Sequence, residues 1–331
     1  MQTQNWRKQP QAPTPRQLPE VLVAREVDRT ALSRAVKRQL MRRVRPGIYR
    51  FSGNDEMRAE RFKQHELVVL ERISAVRKFL RDDDCFSHVS AATLWGLPIP
   101  PGYSNPHIAS PPTSVNHTAP IGVIRHRVEV PPEHRTMLGD VAATSLERTT
   151  VDCLRLLPPE LGIAIADSAL RVGMDRDLAL EINQTIPNRR FRKQAHALLA
   201  FADIGAESPR ESQLRFHLSV AGWQELETQT YVYADGADYY LDVTASGYQV
   251  GFEFDGLGKY TADALRQEKL RDHKLRAAGW HIERFISRDL TPPDLLQSRL
   301  RQIARDRNIP LGTSELQRVL QHSPLTARPI A

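Results

Sequence analysis

A chain of 331 residues with 40% hydrophobic and 26% charged residues has the balance of a folded globular protein and room for two or three domains. No stretch approaches the roughly 20 apolar residues of a membrane span, residues 1–8 lack the apolar core of a signal peptide, and Cys85 and Cys153 show no CxxC spacing, which argues against a disulfide framework or a thiolate metal cage. The net charge of +7 is concentrated at one end: the first fifty residues carry twelve Lys/Arg against Glu20, Glu26 and Asp28, leaving the remainder slightly acidic. That asymmetry is the footprint of a nucleic-acid-binding end, or of a solvated basic arm. A cytoplasmic protein with no membrane partner is the expectation.

Residues 1–17, polar and rich in Pro and Gln, read as a basic arm without fixed structure. Residues 18–55 read as a small winged helix-turn-helix. Pro19 starts a first helix over 18–27, and Thr30 caps a second with Leu32, Val36 and Leu40 on its inner face. Arg34, Lys37 and Arg38 then look outward. A hairpin carrying Arg42, Arg43 and Arg45 turns at Pro46-Gly47. Such a helix can enter a major groove while the hairpin tracks phosphates; the plainer reading is a basic surface helix.

Residues 56–204 read as a mixed α/β linking domain. An amphipathic helix presents Val69, Ile73, Val76 and Leu80 on one face, and Asp82-Asp83-Asp84 reads as its charged exit loop. A short helix over 87–95 is stopped by Gly96 and Pro98. Residues 99–145 are Pro-rich, with strand-like pieces at 122–124 and 128–130. His107, His117, His126 and His134 show no ligand rhythm and read as structural or exposed. Helices are expected over 147–157, 161–172 and 192–201, with Arg148 and Asp152 as a helix-surface ion pair.

Residues 205–305 carry the chemistry. Ser208-Pro209-x-Glu211 is a capping-box start for a helix that runs to Gly222. Strands near 228–232, 238–244 and 249–255 follow, then a helix over 262–278, a strand over 280–286 and a helix near 293–304. Glu253 and Asp255 alternate with Phe252 and Phe254, so the acids share one strand face. A hairpin turn at Ala245-Ser246-Gly247 brings Asp242 beside Glu253. Carboxylates so gathered need a cation or a shared proton, and oxygen-only ligands suit Mg²⁺ or Mn²⁺. Each acid also has a structural reading: Glu211 serves its capping box, and Asp255 opens an Asp-Gly turn. Residues 306–331 read as a tail.

The order αβββαβα is that of the restriction-endonuclease core. The stretch 208–290 resembles the Vsr-like branch of the PD-(D/E)XK nuclease superfamily. The carriers are Ser208-Pro209-x-Glu211-Ser212, Asp242, Glu253-Phe254-Asp255-Gly256, Lys259-Tyr260, Glu268-Lys269-x-x-Asp272, Leu275-x-x-x-Gly279-Trp280 and Arg284-Phe285. The front part resembles AbiEi-type abortive-infection antitoxins and regulators, through Leu32-Ser33-Arg34-Ala35-Val36, the Arg-Pro-Gly-Ile-Tyr wing, Ser90-Ala91-Ala92-x-x-x-Gly96-Leu97 and Arg148-Thr149-Thr150-Val151-Asp152. The nuclease resemblance implies Asp242 as the central metal ligand, Glu253 as the second, and Glu211 as an outer or second-metal ligand. The catalytic lysine expected two residues after Glu253 is replaced by Asp255, and Lys259 or Lys269 is left to supply the positive charge.

The expectation is therefore a multi-domain α/β protein acting as a DNA-binding, Mg²⁺-dependent endonuclease. The alternative is a non-catalytic regulator or antitoxin with a cognate toxin as partner. An RNA-processing nuclease fits the same metal site.

Overall fold

The computed structural model describes residues 9–52, 61–112, 122–255 and 262–320. Among these the protein is mixed α/β, with eleven α-helices and three sheets, and no helix is long and apolar enough to cross a membrane. The chain forms two compact units, residues 13–156 and residues 157–331 with 1–12.

The first unit opens with β1 (Leu22–Val23), α1 (Arg29–Lys37), β2 (Met41–Arg45), β3 (Ile48–Phe51) and α2 (Arg61–Arg77). The expected first helix is absent: Val21, Leu22 and Val23 join an extended segment that pairs with β3, Leu22 opposite Tyr49 and Val23 opposite Ile48. Val21 and Val23 are buried there with Ile48 and Ala75, a packing that suits β-branched side chains better than a helix surface does. Asp28, not Thr30, caps α1, its carboxylate accepting from the Ala31 N–H at 2.7 Å. Leu32, Val36 and Leu40 do not form a buried face; Leu40 remains 54% exposed. The β2–β3 hairpin forms as expected, with a register shift between Arg43 and Arg45. Arg16 is held rather than loose, its Nε donating to Glu66 at 2.6 Å, whereas residues 1–8 lie outside the described residues.

The unit continues through β4 (Cys85–Phe86), α3 (His88–Leu94), β5 (His107–Ser110), β6 (Ile124–Arg127), β7 (Arg135–Leu138), β8 (Val141–Thr144) and α4 (Leu146–Leu156). The five strands lie in the order β6-β5-β4-β8-β7. Val69, Ile73 and Val76 of α2 are buried, as their spacing predicts. Asp84 is buried and takes Arg125 at 3.1 Å, so the end of the acidic triplet is a structural ion pair. Arg148 and Asp152 do pair, at 3.0 and 3.1 Å, but both are buried; this is a core interaction rather than a surface one.

The second unit contains α5 (Pro159–Arg171), α6 (Arg176–Thr185), α7 (Arg192–Phe201), α8 (Pro209–Ala221), β9 (Leu226–Ala234), β10 (Ala237–Ala245), β11 (Val250–Phe254), α9 (Ala262–Ala277), β12 (His281–Phe285), α10 (Pro293–Asp306) and α11 (Glu315–Leu320). From α8 to α10 the order is the expected αβββαβα. The sheet runs β12-β11-β10-β9: β9, β10 and β11 form an antiparallel meander, and α9 crosses over to place β12 parallel to β11. Val243, Phe252 and Phe285 pack under Leu214 and Leu218 of α8 and Leu296 and Leu300 of α10. Leu241 packs instead with Leu275, Trp280 and Ile282. Gly251 is required where β11 meets β12, since a Cβ there would lie 2.8 Å from Ile282 Cδ1. Gly222 ends α8 in the left-handed region, φ +105°. The tail reading fails up to Leu320, because Leu316 and Leu320 of α11 are buried.

Candidate functional site

The C-terminal acids lie on neighbouring elements. Val243 sits opposite Phe252 in the β10–β11 ladder, so Asp242 and Glu253 occupy adjacent places. The two apolar clusters divide between Leu241 and Val243, and Gln229, facing this part of β10 from β9, has φ +48°. The regular ladder is therefore disturbed at Asp242. Its carboxylate compensates, Oδ2 accepting from the Phe254 backbone N–H at 2.9 Å, which satisfies a strand donor that burial would otherwise penalise. Burial pushes the Asp242 carboxyl up to about 7, helped by the charges of Glu211 and Glu253 and opposed by the Phe254 N–H and by Arg271.

Glu211 is 8% exposed. The Ser208 hydroxyl accepts from its N–H at 3.2 Å, as the capping box requires. The return bond falls one residue early: Glu211 Oε2 accepts from the Glu207 N–H at 2.8 Å. Burial raises this carboxyl as well. Glu211 therefore caps α8 while its charge also bears on Asp242.

Glu253, 4% exposed, is enclosed by cations that sequence reasoning left without a role. Arg271 of α9 donates to both its oxygens, the Nη1–Oε2 distance being 2.6 Å. Arg284 of β12, its register neighbour, lies 3.1 Å away. Arg284 also contacts Asp255 at 2.9 Å, Glu268 at 2.8 Å and Asp272 at 2.8 Å. Burial works against its charge, but the bond to Asp272 and the charges of Glu253, Asp255 and Asp272 hold its pKa above the ordinary arginine value. Only part of this was readable: Glu268 and Asp272 are four apart on one helix face, whereas Arg284 reaches them only once β12 pairs parallel to β11. Lys269 is exposed on α9, and Lys259 lies outside the described residues.

The arrangement is a layer of acids threaded by two arginines. Asp255, which stands where a lysine is expected, binds Arg284, so fixed positive charge reaches Glu253 from β12 and α9 instead. Glu211, Asp242 and Glu253 share one electrostatic neighbourhood without forming a closed cage. Among the described residues, the group of three or more His, Cys, Asp or Glu side chains whose ligand atoms lie within 4.8 Å of one another is His88, His107 and His126. Two of these are histidines expected to be scattered; His117 lies outside the described residues and His134 is half-buried.

At the basic end, Arg34, Lys37, Arg38 and Arg43 are exposed. Arg42 differs: it and Arg50 both bind Glu71 of α2, which is 1% exposed. Burial lowers the pKa of half-buried Arg45. The hairpin is thus pinned at its base, while α1 presents its cations to solvent. No protein-family model matches this chain, and no curated protein is significantly similar to it.

Proposed function

We propose that the protein binds nucleic acid through α1 and the β2–β3 hairpin, and that its C-terminal unit is a PD-(D/E)XK-like, Mg²⁺- or Mn²⁺-dependent endonuclease. The observation that carries this reading is Asp242: a half-buried carboxyl whose pKa is raised by desolvation and by the charges of two buried acids, Glu211 and Glu253. A group this costly to ionise marks a functional site more often than a structural one. The meander followed by a parallel β12 supports the reading, as does the resemblance carried by residues 208–290.

Asp242, Glu253 and Glu211 would hold the ion, which when bound supplies a water of lowered pKa and offsets charge on the scissile phosphate. Arg271 and Arg284 orient Glu253 and bring positive charge beside it, the part that lysine plays in the related pattern. For Glu253 to accept a cation, one arginine contact must open. Arg271, which holds both Glu253 oxygens, is the contact that must open, while Arg284 keeps Asp255, Glu268 and Asp272 as partners.

A second reading, a non-catalytic regulator or antitoxin, is favoured by a specific feature: both Glu253 oxygens are already taken by arginine. Calorimetric titration with Mn²⁺ separates the two. A wild-type heat that disappears in Asp242→Asn and persists in His126→Ala supports the nuclease reading, and no heat in the wild type supports the regulator.

A further inference from the structure

We propose that His88, His107 and His126 form a binding site for a divalent transition-metal ion of the Zn²⁺ class, on residues of the first unit and independent of the carboxylates above.

Three successive structural events bring the rings together. The chain leaves β4 and enters α3 at His88, whose backbone adopts φ +49°. A non-glycine residue there costs about 1 kcal/mol or more, and such residues persist where the surroundings require them. His107 begins β5, and His126 lies on the neighbouring parallel strand β6, opposite Ala109. Because His107 and Ala109 are two apart, His107 and His126 project from the same face.

The geometry is close to a ligand set. The three residues offer ring nitrogens within 4.8 Å of one another, and His107 Nδ1 lies 2.9 Å from His126 Nε2. Nitrogens on one tetrahedral zinc are roughly 3.3 Å apart, given bonds of about 2.0–2.1 Å. An ion therefore enters by exchanging one N–H···N hydrogen bond for two coordinate bonds, the proton moving to the donor ring's other nitrogen. His88 stacks on His126, centroids 3.6 Å apart and planes at 14°. Parallel rings do not converge their lone pairs, so His88 must turn to join. It is free to do so on exposure grounds: His107 is 2% exposed and forms the fixed base, whereas His88 and His126 are half-buried.

The surroundings offer an outer-shell partner to one ligand and fix the strand of another. Ser87 Oγ lies 3.0 Å from His88 Nδ1. With hydrogen on Nδ1 and Ser87 Oγ accepting it, Nε2 is left for the ion, the part outer-shell partners of metal-bound histidines play. The His107 backbone N–H donates to Ser90 Oγ at 2.8 Å, fixing the strand that carries the buried ring. Imidazole donors suit Zn²⁺, Ni²⁺ and Cu²⁺ rather than Mg²⁺ or Ca²⁺, which prefer oxygen. Three protein ligands leave a fourth position open to water or an anionic ligand.

The test is calorimetric titration of the chelator-treated full chain with Zn²⁺, and with Co²⁺ as a spectroscopic stand-in. One ion per chain is expected in the wild type and in Asp242→Asn. The heat should vanish in His126→Ala and His88→Ala, and Ser87→Ala should bind about 10-fold more weakly. Nitrogen-15 spectra of the histidine-labelled wild type need no variant. Zn²⁺ should shift the ring signals of these three histidines and leave His217 unmoved. Absence of stoichiometric binding, binding undiminished in both histidine variants, or shifts confined to other histidines would overturn the assignment.

Discussion

Asp242 combines two demands that conflict. Its oxygen satisfies the Phe254 N–H inside the sheet, which favours a carboxyl held in place. Its charge lies near Glu211 from α8 and Glu253 from β11, with Arg271 of α9 in partial compensation. The sign of the pH dependence follows. A carboxyl raised from 3.8 to about 7 keeps a proton in the folded chain that the unfolded chain releases above about pH 4. Its contribution to stability is present below that pH and is lost as pH rises through 7. Asn carries no charge at any of these pH values and can still accept from Phe254. Asp242→Asn is therefore expected to melt with wild type near pH 4 and above it at pH 8, by on the order of 2 kcal/mol. Thermal melts across that range in chelator check this; a difference independent of pH would count against a strained ionised carboxylate.

At the level of elements, α1 and the hairpin divide what looked like one basic surface. Arg42 and Arg50 converge on buried Glu71, so they fasten the hairpin to α2. Arg34, Lys37 and Arg38 on α1 and Arg43 on β2 remain exposed. Each phosphate contact adds about 0.9 to the slope of log affinity against log salt. Arg34→Ala with Lys37→Ala should lower that slope on duplex DNA by about 1–2. An unchanged slope would remove α1 from the interface. Which elements were readable from sequence depended on local chemistry. Ser208, Pro209 and Gly222 delimit α8 by capping and stopping it, and α7 falls on the expected residues. Val21-Leu22-Val23 suits helix or strand equally until pairing with Tyr49 and Ile48 decides. Helix α6 went unexpected although Asp175 caps it, accepting from Asp177 and Leu178.

Across the whole molecule, the two units carry different chemistries: an exposed basic element and a histidine cluster in one, and an acid–arginine layer in the other. The acids were legible because Glu253 and Asp255 lie on one strand and a single hairpin brings Asp242 to them. The histidines were not, because β4, β5 and β6 must associate before their spacing acquires meaning. Nor were the arginine partners of Glu253, which come from a helix and a parallel strand whose register no local pattern sets. The central claim is that the Asp242 site cuts nucleic acid, and its most direct test is cleavage of supercoiled plasmid, single-stranded DNA and RNA in Mg²⁺ or Mn²⁺ by wild type and Asp242→Asn prepared identically. Metal-dependent cleavage of at least one substrate by the wild type and none by the variant is expected. No cleavage of any substrate by wild type, or equal cleavage by both proteins, would contradict it.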